Sequence, residues 1–130
     1  MAQAILVENQ IDDGSKILEQ LRSKNIDVTA AFWLKPIDDE RWYFYIALQA
    51  VDDKGLAAAY REINAAIQNL QNLWIDLFQL KLIGANDPIA KDVLRIRDRG
   101  GAPLATRVRG YKLGEVYIDE AYIYPPLSNP

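Results

Sequence analysis

The spacing of the apolar residues changes at Asp52–Asp53, and this change is the strongest constraint on the fold. Between residues 27 and 51 apolar side chains recur at every second position, which is the period of a β-strand. From Leu56 to Trp74 they recur at every third or fourth position, which is the period of an amphipathic helix. Pro36 and the acidic residues after it interrupt the first part. The pattern predicts a β-hairpin followed by a long helix that Asp52–Asp53 caps.

Local start and stop signals place the remaining elements. Apolar residues at helical spacing after Gly14 predict a short first helix. Asp87 followed by Pro88 predicts the start of another helix, because Asp accepts hydrogen bonds from the first free amides and Pro at the first position loses none. Gly100–Gly101 ends that helix. The remaining apolar segments predict strands over residues 75–83, 104–109, 113–118 and 121–124.

Together these elements predict an α+β fold. We expect a single two-layer domain with a mixed, largely antiparallel sheet of about five to six strands, packed by one long amphipathic helix and two shorter helices. The succession of strand, crossover helix and strand in mid-chain predicts a parallel pair. A chain of 130 residues, 50% of them hydrophobic, can bury one core without disulfides. The domain is expected to cover residues 1–124, and residues 125–130 are expected to form a loose tail.

The chain contains no histidine and no cysteine. This composition excludes His-based catalytic triads, cysteine nucleophiles, zinc sites built from imidazole or thiolate, and iron–sulfur clusters. Acidic pairs such as Asp38–Asp39 and Asp119–Glu120 fall at predicted turns, where Asp forms local hydrogen bonds. We therefore predict no cofactor and no metal site. The residue content argues against an enzyme, and no catalytic residues are assigned.

Neither a targeting segment nor a membrane span is predicted. The N-terminus has no basic start and reaches Glu8 after three apolar residues, which is not the pattern of a signal peptide. The longest unbroken apolar stretch runs from Trp42 to Leu48 and is far shorter than a bilayer requires. We expect a soluble, cytoplasmic protein that does not bind membranes.

Charge is distributed unevenly along the chain. Between Lys91 and Lys112 seven basic residues stand against two acidic ones, so this segment carries +5, while the rest of a chain of net charge −3 carries −8. One interpretation is an anion site, with Arg107 and Arg109 on one face of a strand. The other is that the basic residues stabilise the C-terminal end of a helix and balance the acidic remainder. Both interpretations stay open.

The predicted hairpin has an aromatic face opposite its apolar one. Aromatic rings beside basic side chains suit the stacking of bases or of another flat anionic ligand. Alternatively, a helix or a second subunit covers the rings, since aromatic residues and Arg are enriched at protein interfaces. Alternation places on this ligand or partner face the residues Trp33, Tyr43, Tyr45, Lys81, Arg107 and Arg109.

The outer face of the predicted long helix is rich in amides. After residue 54 only Arg61 and Glu62 are charged on this helix, whereas exposed helix faces usually carry several charge pairs. Amides lose less than charges on desolvation, so this face is either a partner surface or an ordinary solvated one. The candidate partner residues are Asn64, Gln68 and Gln71.

These features lead to two hypotheses of function. The first is a small, non-catalytic interaction or regulatory module that acts as a homodimer or binds another protein, through the aromatic sheet face or the amide-rich helix. The second is an anion-binding module for nucleic acid or a nucleotide-like ligand, through residues 91–112 and the aromatic face. A nucleic-acid partner is the weaker expectation, because the chain outside this basic segment is strongly acidic.

Overall fold

The computed structural model describes residues 6, 8–70, 73, 75–100 and 104–126. Within these residues, none of the helices combines the length and hydrophobicity that a membrane crossing requires. The helices are α1 (Glu8–Ser23), α2 (Gln49–Lys54), α3 (Leu56–Ile67) and α4 (Pro88–Gly100). The strands are β1 (Val28–Pro36), β2 (Tyr43–Leu48), β3 (Leu80–Gly84), β4 (Thr106–Leu113) and β5 (Val116–Ile123), and a turn of 3-10 helix (Leu77–Gln79) precedes β3.

The five strands form one sheet in the order β3-β2-β1-β5-β4. β2 and β3 run parallel, because α2 and α3 connect them as a crossover. The other neighbouring strands are antiparallel. The predicted α+β class, the mixed and largely antiparallel sheet, and the parallel pair are confirmed.

Helices cover both faces of the sheet, so the domain has three layers where the sequence predicts two. In β1 the five residues from Ala30 to Leu34 are all buried, because successive side chains enter opposite cores. α1 and α3 pack on one face, here called the α1/α3 face, which presents Ala31, Trp33, Phe44, Ile46, Leu80 and Leu82. α4 packs on the other, here called the α4 face, which presents Ala30, Phe32, Leu34, Ala47, Ile118, Ala121 and Ile123.

The first helix begins at Glu8 and passes through Gly14, whereas the sequence predicts a start beyond this glycine. Glycine is a poor helix former, but here it is needed for packing. A Cβ atom at Gly14 would overlap the hydroxyl group of Tyr124. The missing side chain therefore lets α1 lie close to the residue that follows β5.

Two helices replace the single long helix that the sequence predicts. Gly55 separates them with a φ of 90°, which no helical residue adopts. Asp52 lies inside α2 and does not cap α3; its carboxylate accepts a hydrogen bond from the Asn86 amide at 3.3 Å. α3 ends at Ile67, before the predicted end at Trp74, and residues 71, 72 and 74 lie outside the described residues.

The fourth helix begins at Pro88 and ends at Gly100, as the sequence predicts. Asp87 caps it by accepting a hydrogen bond from the amide of Ile89 at 2.9 Å. The strand predicted over residues 75–83 is shorter, because the 3-10 turn occupies its first half.

At the C-terminal end two strands, β4 and β5, replace the three that the sequence predicts. The hairpin turn lies at Gly114, whose φ is 58°, so the strand predicted over residues 113–118 does not form as one piece. The Gly114 amide donates a hydrogen bond to Asp92 of α4 at 2.8 Å, which ties the turn to the helix. Of the predicted tail, residues 127–130 lie outside the described residues.

Candidate functional site

The predicted aromatic face does not form, because the hairpin register separates Trp33 from the two tyrosines. Residues directly opposite one another on paired strands share a face of the sheet. Trp33 pairs with Phe44 and lies on the α1/α3 face. Tyr45 pairs with Phe32, so Tyr45 and Tyr43 lie on the α4 face. The prediction that Trp33 shares a face with these tyrosines is wrong.

Trp33 is fully buried and belongs to a chain of hydrogen bonds. Its Nε1 donates to the Tyr124 hydroxyl at 3.0 Å, and that hydroxyl donates to the carbonyl of Ile11 in α1 at 2.7 Å. Phe44 stacks on the indole, with ring centres 5.0 Å apart. Burial raises the pKa of Tyr124 well above its ordinary value. These contacts join the sheet to α1, and they leave Trp33 inaccessible to a ligand.

Tyr43, Tyr45 and Lys81 do come together on the α4 face. Tyr45 is stacked on Phe32 with ring centres 5.4 Å apart, and burial raises its pKa. Lys81 Nζ lies 5.4 Å from the centre of the Tyr43 ring. The Tyr43 hydroxyl donates a hydrogen bond to Asp39 at 2.6 Å, which lowers the pKa of Asp39 and raises that of Tyr43. The carboxylate opposes the binding of an anionic ligand at this corner.

Arg107 and Arg109 lie at the other edge of the sheet and on its other face. The Arg107 guanidinium is 5.0 Å from the centre of the Tyr122 ring, and Tyr122 pairs with Trp33 of β1. Arg109, whose side chain is 82% exposed, lies 3.4 Å from the Glu120 carboxylate. The six residues predicted to form one face therefore occupy three separate places.

A groove lies beside α3, where the sequence predicts a partner face. Asn64 and Gln68 line this groove, while the third candidate, Gln71, lies outside the described residues. The volume of the groove is about 870 Å³. Its apolar wall includes Leu70, Leu73, Ile75 and Leu80. The α3 groove thus combines an amide rim with an apolar wall.

Phe78 lines the α3 groove and is a residue that the sequence does not single out as a site. Its side chain is 88% exposed, although alternation predicts it on an apolar strand face with Leu80. The 3-10 turn is the reason, since the Asp76 carboxylate accepts a hydrogen bond from the Phe78 amide at 2.9 Å and turns the chain before β3. An Asp two residues ahead is a typical signal for such a turn.

The Tyr60 hydroxyl occupies part of the outer edge of β3. It accepts a hydrogen bond from the Leu82 amide at 3.2 Å and donates one to the Leu80 carbonyl at 3.3 Å. These backbone groups would otherwise be available to a further strand. A partner at the α3 groove would therefore be bound through side-chain contacts and not through an added strand.

The basic segment, residues 91–112, is divided among three places. Arg95 and Arg99 lie one turn apart on α4 and line a cavity of about 370 Å³ between this helix and β4. Arg97 lines a second cavity at the start of β1, and its side chain is only 14% exposed. The two arginines of β4 lie on the α1/α3 face. Within the part of the chain that the structure describes, these arginines do not form one continuous basic stripe.

Among the described residues, no group of three or more acidic side chains is placed to hold a metal ion. Comparisons with protein-family models, with curated proteins and with solved structures find no match to this chain.

Proposed function

We propose that the protein is a non-catalytic interaction module that acts as a homodimer, and that the α3 groove is its contact surface. The observation that carries this proposal is Phe78, a large apolar side chain that is 88% exposed and lines an apolar groove of about 870 Å³. Single exposed apolar residues are common on protein surfaces, but a protruding ring beside an apolar recess is typical of interaction sites.

A second copy of the chain is the occupant that this surface fits best. A two-fold symmetric interface uses the same patch on both subunits, so the patch must be complementary to itself. The α3 groove meets this condition, because Phe78 supplies a protrusion and the wall formed by Leu70, Leu73 and Ile75 supplies a recess. In a symmetric pair, each Phe78 would enter the groove of the other subunit.

The charge of the surface also favours a second copy. Among the described residues that line the groove, Arg61 is the charged one, and the rim is made of the amides of Asn64 and Gln68. A chain of net charge −3 repels its own copies, and this repulsion is weakest where carboxylates are lacking. Amides also lose less than charges when an interface excludes water.

The test is to replace Phe78 by Asp and measure the oligomeric state. Sedimentation velocity of the wild-type chain at micromolar concentration should show a dimer. Burial of two Phe side chains contributes about 3 kcal/mol or more, so Phe78→Asp should weaken the dimer roughly a hundredfold or more. Circular dichroism should show an unchanged fold, because the replaced side chain lies outside the core.

Leu104→Asp is the matched control. Leu104 is another exposed apolar residue, 74% accessible, and it precedes β4 at the opposite edge of the sheet. This variant should remain dimeric. A wild-type chain that stays monomeric throughout the micromolar range would refute the proposal, as would equal loss of the dimer in both variants.

A further inference from the structure

We propose that the cavity between α4 and β4 binds a small organic anion, of the class in which a phosphate group is joined to a planar ring. The cavity has a volume of about 370 Å³, at the lower end of the range of small-molecule pockets. The described residues that line it all lie between Asp92 and Lys112. The inference is independent of the α3 groove. The proposed site lies within the basic segment, as the sequence predicts for an anion site, but its binding residues are not Arg107 and Arg109.

Two arginines on one face of α4 supply positive charge to the cavity. Arg95 and Arg99 are four residues apart, so their side chains project from the same side of the helix. Arg95 is already paired with Asp92 at 2.9 Å. Arg99 forms no ion pair with the described residues, and its guanidinium has the planar, forked geometry that binds phosphate. Arg99 is therefore the principal anion-binding group.

The other walls of the cavity suit a flat apolar ring. Ile96 from α4 and Val108 from β4 are partly buried and belong to the core of the α4 face. Tyr111, which is 47% exposed, adds an aromatic surface at the mouth. Aromatic side chains stack on planar rings whatever substituents these rings carry. The ring of the ligand would therefore lie near Tyr111 and its phosphate group near Arg99. Lys112 also lines the cavity, but its ammonium group lies over the Tyr117 ring.

A second observation that points to a ligand is the hydroxyl group of Thr106. Its Oγ1 is buried and has no hydrogen-bond partner among the described residues, and Thr106 lines this cavity. Buried hydroxyl groups in proteins are almost always hydrogen-bonded, since an unpaired one is costly. Rotation of the Thr106 side chain about χ1 would bring this hydroxyl to the cavity, where an oxygen or ring nitrogen of a bound ligand would satisfy it.

The division of the basic segment favours a small ligand over a nucleic-acid strand. A strand would require a track of positive charge several nucleotides long. Arg97 lines a different cavity, and Arg107 and Arg109 lie on the opposite face of the sheet. Among the described residues of the basic segment, Arg95, Arg99 and Lys112 line this cavity, and the two arginines are enough for one phosphate group.

A purely structural role for these arginines is the competing explanation. Cations in the last turn of a helix interact favourably with its dipole, and Arg99 lies in the last turn of α4. That role predicts a change in the stability of the Arg99→Gln variant with no ligand-dependent effect. Binding measurements therefore separate the two explanations.

The experiment follows amide NMR spectra of the full chain as adenosine 5′-monophosphate is added. Binding should shift the signals of residues 95–100 and 106–112 at concentrations below about 10 mM. Arg99→Gln should weaken the affinity about tenfold or more, because it removes a charge-assisted hydrogen bond. Arg107→Gln is the matched control and should retain wild-type affinity. Thr106→Val keeps the shape of the side chain, removes its hydroxyl and should weaken binding severalfold.

Two further probes test the class of ligand. Inorganic phosphate should bind more weakly than the nucleotide, because it lacks the ring. The proposal fails if no shifts appear, if Arg107→Gln loses as much affinity as Arg99→Gln, or if inorganic phosphate binds equally well. A short single-stranded oligonucleotide that binds more tightly than the nucleotide would also overturn it, in favour of nucleic acid.

Discussion

The two faces of the sheet are built from different side chains. The α1/α3 face is filled by large aromatic residues, Trp33, Phe44 and Tyr124. A hydrogen bond connects the Trp33 indole to the Tyr124 hydroxyl. The α4 face is filled mostly by small or branched residues, and Phe32 is its largest fully buried side chain. Its small members are Ala30, Ala47 and Ala121, and Ala90 of α4 belongs to the same core.

This difference explains how each face is covered. Aromatic side chains fill the space under two helices, α1 and α3, whereas alanines let the single helix α4 lie close to the strands. α4 has 13 residues and a length of about 20 Å, too short to cover the whole face. The cavity beside Thr106 extends along α4 from Asp92 to Gly100 and along β4 from Thr106 to Lys112. The alanines thus allow close packing of α4, and the cavity lies between this helix and β4.

Removal of Trp33 should have the largest effect on stability. Trp33→Ala leaves a large cavity and removes the hydrogen bond to Tyr124, so we expect a loss of about 3–5 kcal/mol in the free energy of unfolding, measured by urea denaturation. Tyr45→Ala on the α4 face is the comparison and should cost clearly less, because Tyr45 is only partly buried. Equal losses would show that the two faces contribute alike.

Enlargement of Ala90 tests the close packing of α4. Ala90 is fully buried against the sheet, so Ala90→Leu should push the helix outward and cost about 2–3 kcal/mol, measured in the same way. Ala57→Leu on the exposed surface of α3 is the control and should change stability by less than about 0.5 kcal/mol. An Ala90→Leu chain as stable as the wild type would contradict close packing on the α4 face.

Removal of the Tyr124 hydroxyl should have a smaller effect that depends on pH. Tyr124→Phe leaves the Trp33 indole and the Ile11 carbonyl without their partner, which should cost about 1–2 kcal/mol at neutral pH. Burial raises the pKa of Tyr124 in the folded chain above the ordinary value of 10.0. The contribution of this group is therefore fully present below pH 10, and it is lost as the pH rises beyond that value.

Urea denaturation at a series of alkaline pH values measures this effect. Wild-type stability should fall with increasing pH above 10, and Tyr124→Phe should fall less steeply. Some slope should remain in the variant, because the pKa values of Tyr43, Tyr45 and Tyr122 are also raised. Parallel curves for the two chains would rule out the buried hydroxyl as a source of the pH dependence.

Several elements are predictable from the sequence because their signals are local. Asp87–Pro88 and Gly100 mark the ends of α4, and the alternating residues mark β1 and β2. The side of the sheet on which each residue lies is not predictable in this way. Both faces of β1 are buried, so alternation cannot tell which one Trp33 occupies, and the register depends on the connection between Pro36 and Tyr43.

The candidate sites were predicted less well, since they depend on contacts between distant parts of the chain. Asn64 and Gln68 do line a groove, because their positions on one helix face follow from helical spacing. Phe78 was not predicted as a site, because a local turn overrides strand alternation. Charge along the chain is compatible with one basic site, but successive residues of a helix or strand point in different directions, and the arginines are dispersed.

The hydrogen bonds of Tyr60 to the backbone of β3 affect how the protein resists aggregation. An open-ended ribbon of sheets requires that each molecule offer two free edges, one to the molecule before it and one to the molecule after it. While Tyr60 holds the Leu80 carbonyl and the Leu82 amide, β3 cannot serve as the second edge at these residues. Pairing through β4 alone would stop at two molecules, so the Tyr60 hydroxyl opposes the extension of strand pairing beyond two molecules at this edge.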